Sequence, residues 1–337
     1  MGMKQILVMM AAVVLVGCSK DTPETSQAAE TEPQVASNPT PNPTPEPTPE
    51  PTPVSPVNEK LIADAIVERA VGKSLNKIPS KLTEADLAKV TQLFILSNTK
   101  ITDAGLKDIA KLQNLTNLGF YATKITDKEV KELAKLQKLT NIGLAATEIT
   151  DAGLGEIAKL QNLTELNLAS TQITDEGLQD VSKLQKLTQL CLDRTQITGV
   201  GLKKLAKLQN LTGLELQGTK ITDASLKELA KLQNLTDLDL QETKITGASL
   251  KELVKLQNLT FISLHDTQIT DEALNEVAKL QNLTSLFLGG TQITDAGLKD
   301  VAKLQKLGIL RLDFTKVTKA GVAELKKALP NCYIQGP

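Results

Sequence analysis

The chain has 337 residues, with 38 Lys plus Arg against 39 Asp plus Glu and a formal net charge of −1, so global charge gives no case for nucleic acid or anionic lipid as a partner. Its three cysteines, Cys18, Cys191 and Cys332, and its single histidine, His265, exclude a disulfide scaffold, a cysteine metal cluster and a two-histidine zinc site. The length alone suggests two domains, but a chain of repeats grows without needing one large core.

At the N-terminus, Met1 to Lys4 supply positive charge, Ile6 to Val16 form an apolar run of 11 residues, and Gly17 precedes Cys18. That run is too short to span a bilayer, so residues 1–17 read as a cleaved signal peptide. Leu15-Val16-Gly17-Cys18 resembles the lipobox of bacterial lipoproteins. The resemblance implies cleavage before Cys18 and acyl chains on it; the alternative is an ordinary secretory peptide with a chance cysteine. Several acyl chains anchor stably where one is marginal. Ser19 resembles an outer-membrane address, so the expected location is the cell envelope, lipid-anchored, at the outer membrane if the cell is Gram-negative.

Residues 18–57 form the lipidated cysteine and a spacer with almost no large apolar side chains, and Pro39 to Pro53 place proline at every second position. Such a segment builds no core. Alternating proline favours polyproline II at about 3.1 Å per residue, a tether of up to roughly 100 Å.

Residues 58–98 are expected to form a helical cap and a first, atypical coil. Asn58 to Lys73 place Leu61, Ile62, Ala65, Ile66 and Ala70 on one helical face, with Gly72 at the end, and Leu82 to Val90 follow as a second short unit. Together they resemble the cap that opens internalin-like bacterial leucine-rich repeat proteins. Val90 to Thr99 holds one residue more than Leu115 to Thr123, which predicts a bulge within Phe94-Ile95-Leu96.

From residue 99 to 337 the chain repeats. Ten threonines, from Thr99 and Thr123 to Thr291 and Thr315, recur at a spacing of 24 residues without a slip. Each unit is too small to close its own core and becomes stable against its neighbours. Leu163, Leu166 and Leu168 show the LxxLxL pattern in which a short strand turns its leucines inward. The threonine after the strand is expected to close a turn by bonding backbone groups of adjacent coils. Thr102-Asp103 opens a helix, and Leu106, Ile109, Ala110 and Leu112 keep helical spacing toward the strands. These units resemble leucine-rich repeats of the internalin or ribonuclease-inhibitor type. The resemblance implies an α/β solenoid, a horseshoe with a parallel β-sheet on the concave face and short helices on the convex face.

Comparing the copies separates scaffold from surface. Lys111 and its eight equivalents up to Lys303 have Gln two residues later, and eight of the nine have an acid three residues earlier, the mark of a solvated helix face. Asn-Leu-Thr at Asn114, Asn162 and four further copies matches a glycosylation sequon but reads as turn chemistry. The outward strand positions and the two residues just after each strand do vary, and they carry eight acids against Arg194 and Arg311. The candidate partner-binding residues are Glu165, Asp193, Glu215, Asp237, Asp239, Glu242, Phe261, His265, Asp266, Phe287 and Arg311.

No catalytic constellation stands out. His265, Asp266 and Ser263 hold the letters of a triad, but adjacent strand residues point to opposite sides and no nucleophile-turn motif surrounds the serine. Asp193 near Cys191 raises the thiol pKa rather than activating it. The reading is a protein that is not an enzyme, with no cofactor and no metal. Its expected partner is a protein or peptide with a basic patch, and its membrane contact is lipid on Cys18. The alternative is a structural envelope component without a dedicated ligand, in which the outward residues are free to drift.

Overall fold

The structure, a computed structural model, describes residues 61–96 and 101–336. The signal peptide, Cys18, the proline-rich spacer, Asn58 to Lys60 and Thr99 lie outside the described residues.

Eleven strands form one parallel sheet in strictly sequential order. They are β1 (Gln92–Leu96), β2 (Asn117–Tyr121), β3 (Asn141–Gly143), β4 (Glu165–Asn167), β5 (Gln189–Cys191) and β6 (Gly213–Glu215), then β7 (Asp237–Asp239), β8 (Phe261–Ser263), β9 (Ser285–Phe287), β10 (Ile309–Arg311) and β11 (Tyr333–Gln335). Each strand partners the residue 24 positions on, as in Leu166 with Leu190 and Leu190 with Leu214. The register from β1 to β2 is one residue longer in offset, Gln92 with Asn117 through Leu96 with Tyr121, and it runs without interruption. The bulge expected within Phe94-Ile95-Leu96 is therefore absent.

Between strands, short helices such as Asp103–Ala110, Asp151–Ile157 and Asp271–Val277 return the chain. In a single coil Leu163, Leu166, Leu168, Ile173, Leu178, Val181 and Leu184 are all at most 2% exposed. A strand of three residues cannot shield these side chains alone, so the coils before and after supply the missing walls.

At the N-terminal end the helix runs from Ala65 to Leu75, starting later than its pattern predicts because Asp64 is its N-cap, accepting from the N–H groups of Ile66 and Val67. That start turns Val67 and Val71 to the core, with Ile62 entering just ahead of the helix, while Ala65 is exposed and Leu61, Ile66 and Ala70 are half-buried. Gly72 is not the terminus. It packs where a Cβ would lie 2.9 Å from both the Lys77 carbonyl and Pro79, and Asn76 ends the helix at φ 52°.

Three ladders hold coil to coil. Thr140, Thr164, Thr188, Thr212, Thr236, Thr260 and Thr284 each donate their hydroxyl to the carbonyl of the threonine 24 residues earlier, at 3.0–3.2 Å. Asn162, Asn210, Asn258 and Asn282 donate Nδ2 to a carbonyl of the preceding coil, so both polar residues of Asn-Leu-Thr are consumed by the scaffold. The third ladder starts from the acid that opens the helix. Asp127, Asp151, Asp175, Asp271 and Asp295 each accept both the N–H and the hydroxyl of the threonine one coil on, the N–H bonds at 2.8–2.9 Å.

This third ladder explains a pattern among the copies. Gly153, Gly177, Gly201, Gly297 and Gly321 each stand 26 residues after one of those acids, and a Cβ on any of them would collide with its carboxylate. Where the acid is replaced by Gly199 or Gly247, the later position becomes Ser225 or Ala273. Asp103 faces Glu129 instead and turns out to Lys128 at 2.9 Å, leaving Glu129 to bind Thr126. Asp223 faces Ser249 and accepts from Gly247 and Ser249 as well as Thr246, and the following helix, Leu250–Lys255, is drawn into 3-10 geometry.

The periodic threonines after the strands act otherwise than expected. Thr147, Thr171, Thr195, Thr219, Thr243, Thr267 and Thr291 donate not to a neighbouring coil but to the leucine carbonyl three residues back in their own, each at 2.6 Å. The residue before each is left-handed, although Thr123, which follows left-handed Ala122, is buried with its hydroxyl unpartnered. Ala122, Ala146, Ser170, Arg194, Gly218, Glu242, Asp266, Gly290 and Phe314 all have φ between 51° and 68°. Every invariant lysine but Lys207, which has Lys204 three residues earlier, pairs with the acid at that position, as in Lys159 with Glu156 at 2.7 Å, and the glutamines cap the helix ends, as in Gln161 to the Ala158 carbonyl at 2.6 Å.

Candidate partner-binding surface

Because every strand sits in register with the next, outward side chains fall into rows, with about 4.8 Å between rungs. The first row reads Asn141, Glu165, Gln189, Gly213, Asp237, Phe261, Ser285, Ile309 from β3 to β10. The second, two residues on along each strand, reads Gly143, Asn167, Cys191, Glu215, Asp239, Ser263, Phe287, Arg311. Beyond the strand ends, Asp193, Gln217, Gln241 and His265 continue on the outward side.

The acids concentrate at the middle of the second row. Donor atoms of Cys191, Asp193 and Glu215 all lie within 4.8 Å of one another, and Asp239 on the next rung is only 6% exposed. Burial pushes the Asp193 carboxyl up to about 7, with the Glu215 charge adding to it. Burial likewise raises Glu215, and takes Asp239 to about 6. Two backbone bonds hold these groups in place: Asp193 accepts from the Gln217 N–H and Asp239 from the Gln241 N–H, both at 2.8 Å. Cys191 is buried, and desolvation followed by the charges of Glu215 and Asp193 drives its thiol well above the ordinary range. Among the described residues this trio is the group whose atoms could hold a metal ion, yet a thiol so biased toward its protonated form is a poor ligand and a poor nucleophile.

The arrangement departs from the sequence reading at several points. Glu165 stands in the first row three rungs from Asp237, roughly 14 Å away, and is not part of the acidic centre. Asp237 Oδ2 lies 2.6 Å from the Thr236 hydroxyl, whose single proton is shared between it and the Thr212 carbonyl at 3.1 Å. Glu242, in a left-handed turn, is engaged by Gln217 Nε2 at 2.8 Å and by Arg194 at 3.8 Å. His265 and Asp266 do not point to opposite sides. Asp266 has left-handed φ of 53°, which swings its carboxylate to 3.1 Å from His265 Nε2. Ser263 is buried and its hydroxyl makes no hydrogen bond to His265, so no nucleophile and base are joined there.

On β8 to β10 the surface changes character. The Phe261 and Phe287 rings meet edge to face with centroids 5.1 Å apart, and the Arg311 guanidinium lies 5.0 Å over the Phe287 ring. Phe314 is 90% exposed. Cys191, Gln217 and Ser263 were missing from the predicted binding residues. The 24-residue column 191, 215, 239, 263, 287, 311 holds four of the predicted ones and would have added Cys191 and Ser263.

Four stretches of the chain, residues 159–182, 207–230, 231–254 and 279–302, match the family model described as a leucine-rich repeat. No curated protein matches the sequence. Among solved structures, an internalin of Listeria monocytogenes is similar at 22% identity, covering 82% of this chain and 96% of its own, with a TM-score of 0.44. Internalin C2 of the same organism stands at 25% identity, 82% and 95% coverage and a TM-score of 0.46. A TDR receptor shares the fold at a TM-score of 0.51 and 18% identity, over 74% of this chain and 48% of that one.

Proposed function

We propose that this leucine-rich repeat α/β solenoid is an interaction module of a bacterial cell envelope, anchored by acyl chains on Cys18 and presenting its outward sheet face to a protein or peptide with a basic patch. Support for the anchor is the lipobox-like Leu15-Val16-Gly17-Cys18, and support for the reach is the alternating proline of residues 39–53.

One observation carries the binding role. The residues that repeat between copies are consumed by coil-to-coil bonds and helix pairs, whereas the outward face varies and gathers Asp193, Glu215, Asp237 and Asp239, none of which forms a salt bridge among the described residues, Arg194 reaching Asp193 only through its charge while pairing with Glu242. Burial and mutual repulsion disfavour the charged form of Asp193, Glu215 and Asp239, and a cationic partner would offset both. Rigid strands hold the set in place without ordering cost.

The test is crosslinking on intact cells with the wild type and with a variant reversing Glu215, Asp237, Asp239 and Glu242 to Lys. The wild type captures a partner in a salt-sensitive way and the variant loses it. Undiminished capture by the variant sinks the reading. Incorporation of a labelled fatty acid that disappears on Cys18→Ser checks the anchor separately.

A further inference from the structure

Resting on the reading that the sheet face binds a basic segment, we propose that this segment is an extended peptide lying across the strands, setting a cationic side chain on Glu215, with Asp239 behind it, and an apolar side chain on Phe287.

The outward face is divided along its length, and the division is abrupt. Glu215 and Asp239 occupy consecutive rungs of the second row on β6 and β7, and Phe261 in the first row already stands on β8, beside Asp237. Arg194, the cation nearest the acids in sequence, is directed to Glu242 at 3.8 Å. On the far side, Arg311 covers Phe287 and donates Nε to Gln335 at 3.0 Å, so its guanidinium already occupies the face of that ring and disfavours a second cation placed against it. The face thus accepts a cation at Glu215 on β6, an apolar group at Phe287 on β9, and no cation over β10. Charge complementarity sets the first position, the aromatic pair the second, and Arg311 the limit.

Geometry converts this into a spacing. Glu215 and Phe287 are three rungs apart, roughly 14 Å at about 4.8 Å per rung. An extended chain rising about 3.4 Å per residue covers that distance in about four residues, whereas a helix rising 1.5 Å per residue needs about nine. The partner motif is therefore a Lys or Arg and a Leu, Ile or Phe about four positions apart.

Selection of an unbiased displayed library of 12-residue peptides on the full chain tests it, with the tightest peptide then measured by fluorescence anisotropy. The expected enriched sequences carry a cation and an apolar residue four apart, and replacing the apolar residue by Ser weakens binding about tenfold or more. The double variant Phe261→Ser/Phe287→Ser abolishes that preference and keeps charge-driven binding, while Phe261→Leu/Phe287→Leu restores it, which separates loss of the apolar contact from loss of fold. Enrichment of basic peptides with no apolar spacing, or with a spacing of about nine, overturns the crossing arrangement and leaves the basic-partner reading standing. Enrichment unaffected by Glu215→Gln/Asp239→Asn overturns both.

Discussion

Asp193 accepts a hydrogen bond from the Gln217 N–H, one coil further on, at 2.8 Å, and this bond holds its carboxyl beside Glu215 in a setting that raises it to about 7. An unfolded chain releases that proton near the ordinary Asp value of about 3.9. Between the two values the folded state binds more protons, so stability falls as pH rises through the window from about 4 to 7. Asp193→Asn keeps the acceptor oxygen and removes the charge. It is expected to shift the urea midpoint upward at pH 8, by an equivalent of about 1–3 kcal/mol after allowing for solvent screening. The advantage disappears at pH 3.5. An equal advantage at both pH values would show that the carboxyl is not the cause.

Asp239→Asn follows the same sign in a narrower window, since its folded value is about 6. Because Asp193, Glu215 and Asp239 interact, the double variant Asp193→Asn/Asp239→Asn is expected to gain less than the two single gains added. Denaturation curves of the three variants at pH 8 decide this.

Gly177 leaves room for the Asp151 carboxylate, which binds Thr174 through both oxygens. Gly177→Ala is expected to destabilise by about 1–3 kcal/mol through overpacking. Asp151→Ala loses the charge-assisted bonds and costs about 2 kcal/mol. In the double variant the clash with the carboxylate is gone, so its loss is smaller than the sum by about 1 kcal/mol. A strictly additive cycle would contradict the steric explanation of the Asp and Gly pairing.

The residue before each periodic threonine is left-handed, at φ 54° for Ala146 and 59° for Phe314. Ala146→Gly is expected to stabilise by about 1 kcal/mol, because a Cβ is unfavourable in that conformation. Phe314→Gly gains similarly and removes a ring that is 90% exposed. Gly218→Ala moves the other way. Chemical denaturation of the three variants ranks them.

Cys191 and Cys332 are both free and buried, with raised thiol pKa values. In a Cys18→Ala background a thiol reagent at pH 8 is expected to label neither until urea unfolds the chain. Fast labelling of Cys191 in the native protein would remove the case for an inert thiol.

The strand rows were legible in the sequence because LxxLxL at a period of 24 leaves one way to stack, and the rows at 24-residue intervals then follow from register alone. The helix N-caps were legible too, from Thr-Asp before an apolar run. The partner of each helix-opening Asp was not, since Thr174 lies 23 residues from Asp151 and only coiling brings them together. Nor could periodicity place the cap helix, whose start depends on Asp64 receiving two backbone N–H groups and the Thr102 hydroxyl.

By itself the sequence determined that the chain is a stack of equal coils, which side of each strand faces the core, and which positions are free to differ. Tertiary structure alone decided the rest. The left-handed turn that precedes the periodic threonines and brings Asp266 to His265 is a backbone state that the Cβ of Ala, Arg, Glu or Phe disfavours, so local sequence does not announce it. Asp239 sits on a strand position that alternation marks as outward, yet flanking side chains one rung away on either side leave it 6% exposed. Alternation reports which way a side chain points; its burial, and with it the charge of the acidic centre, depends on what the adjacent coils place beside it.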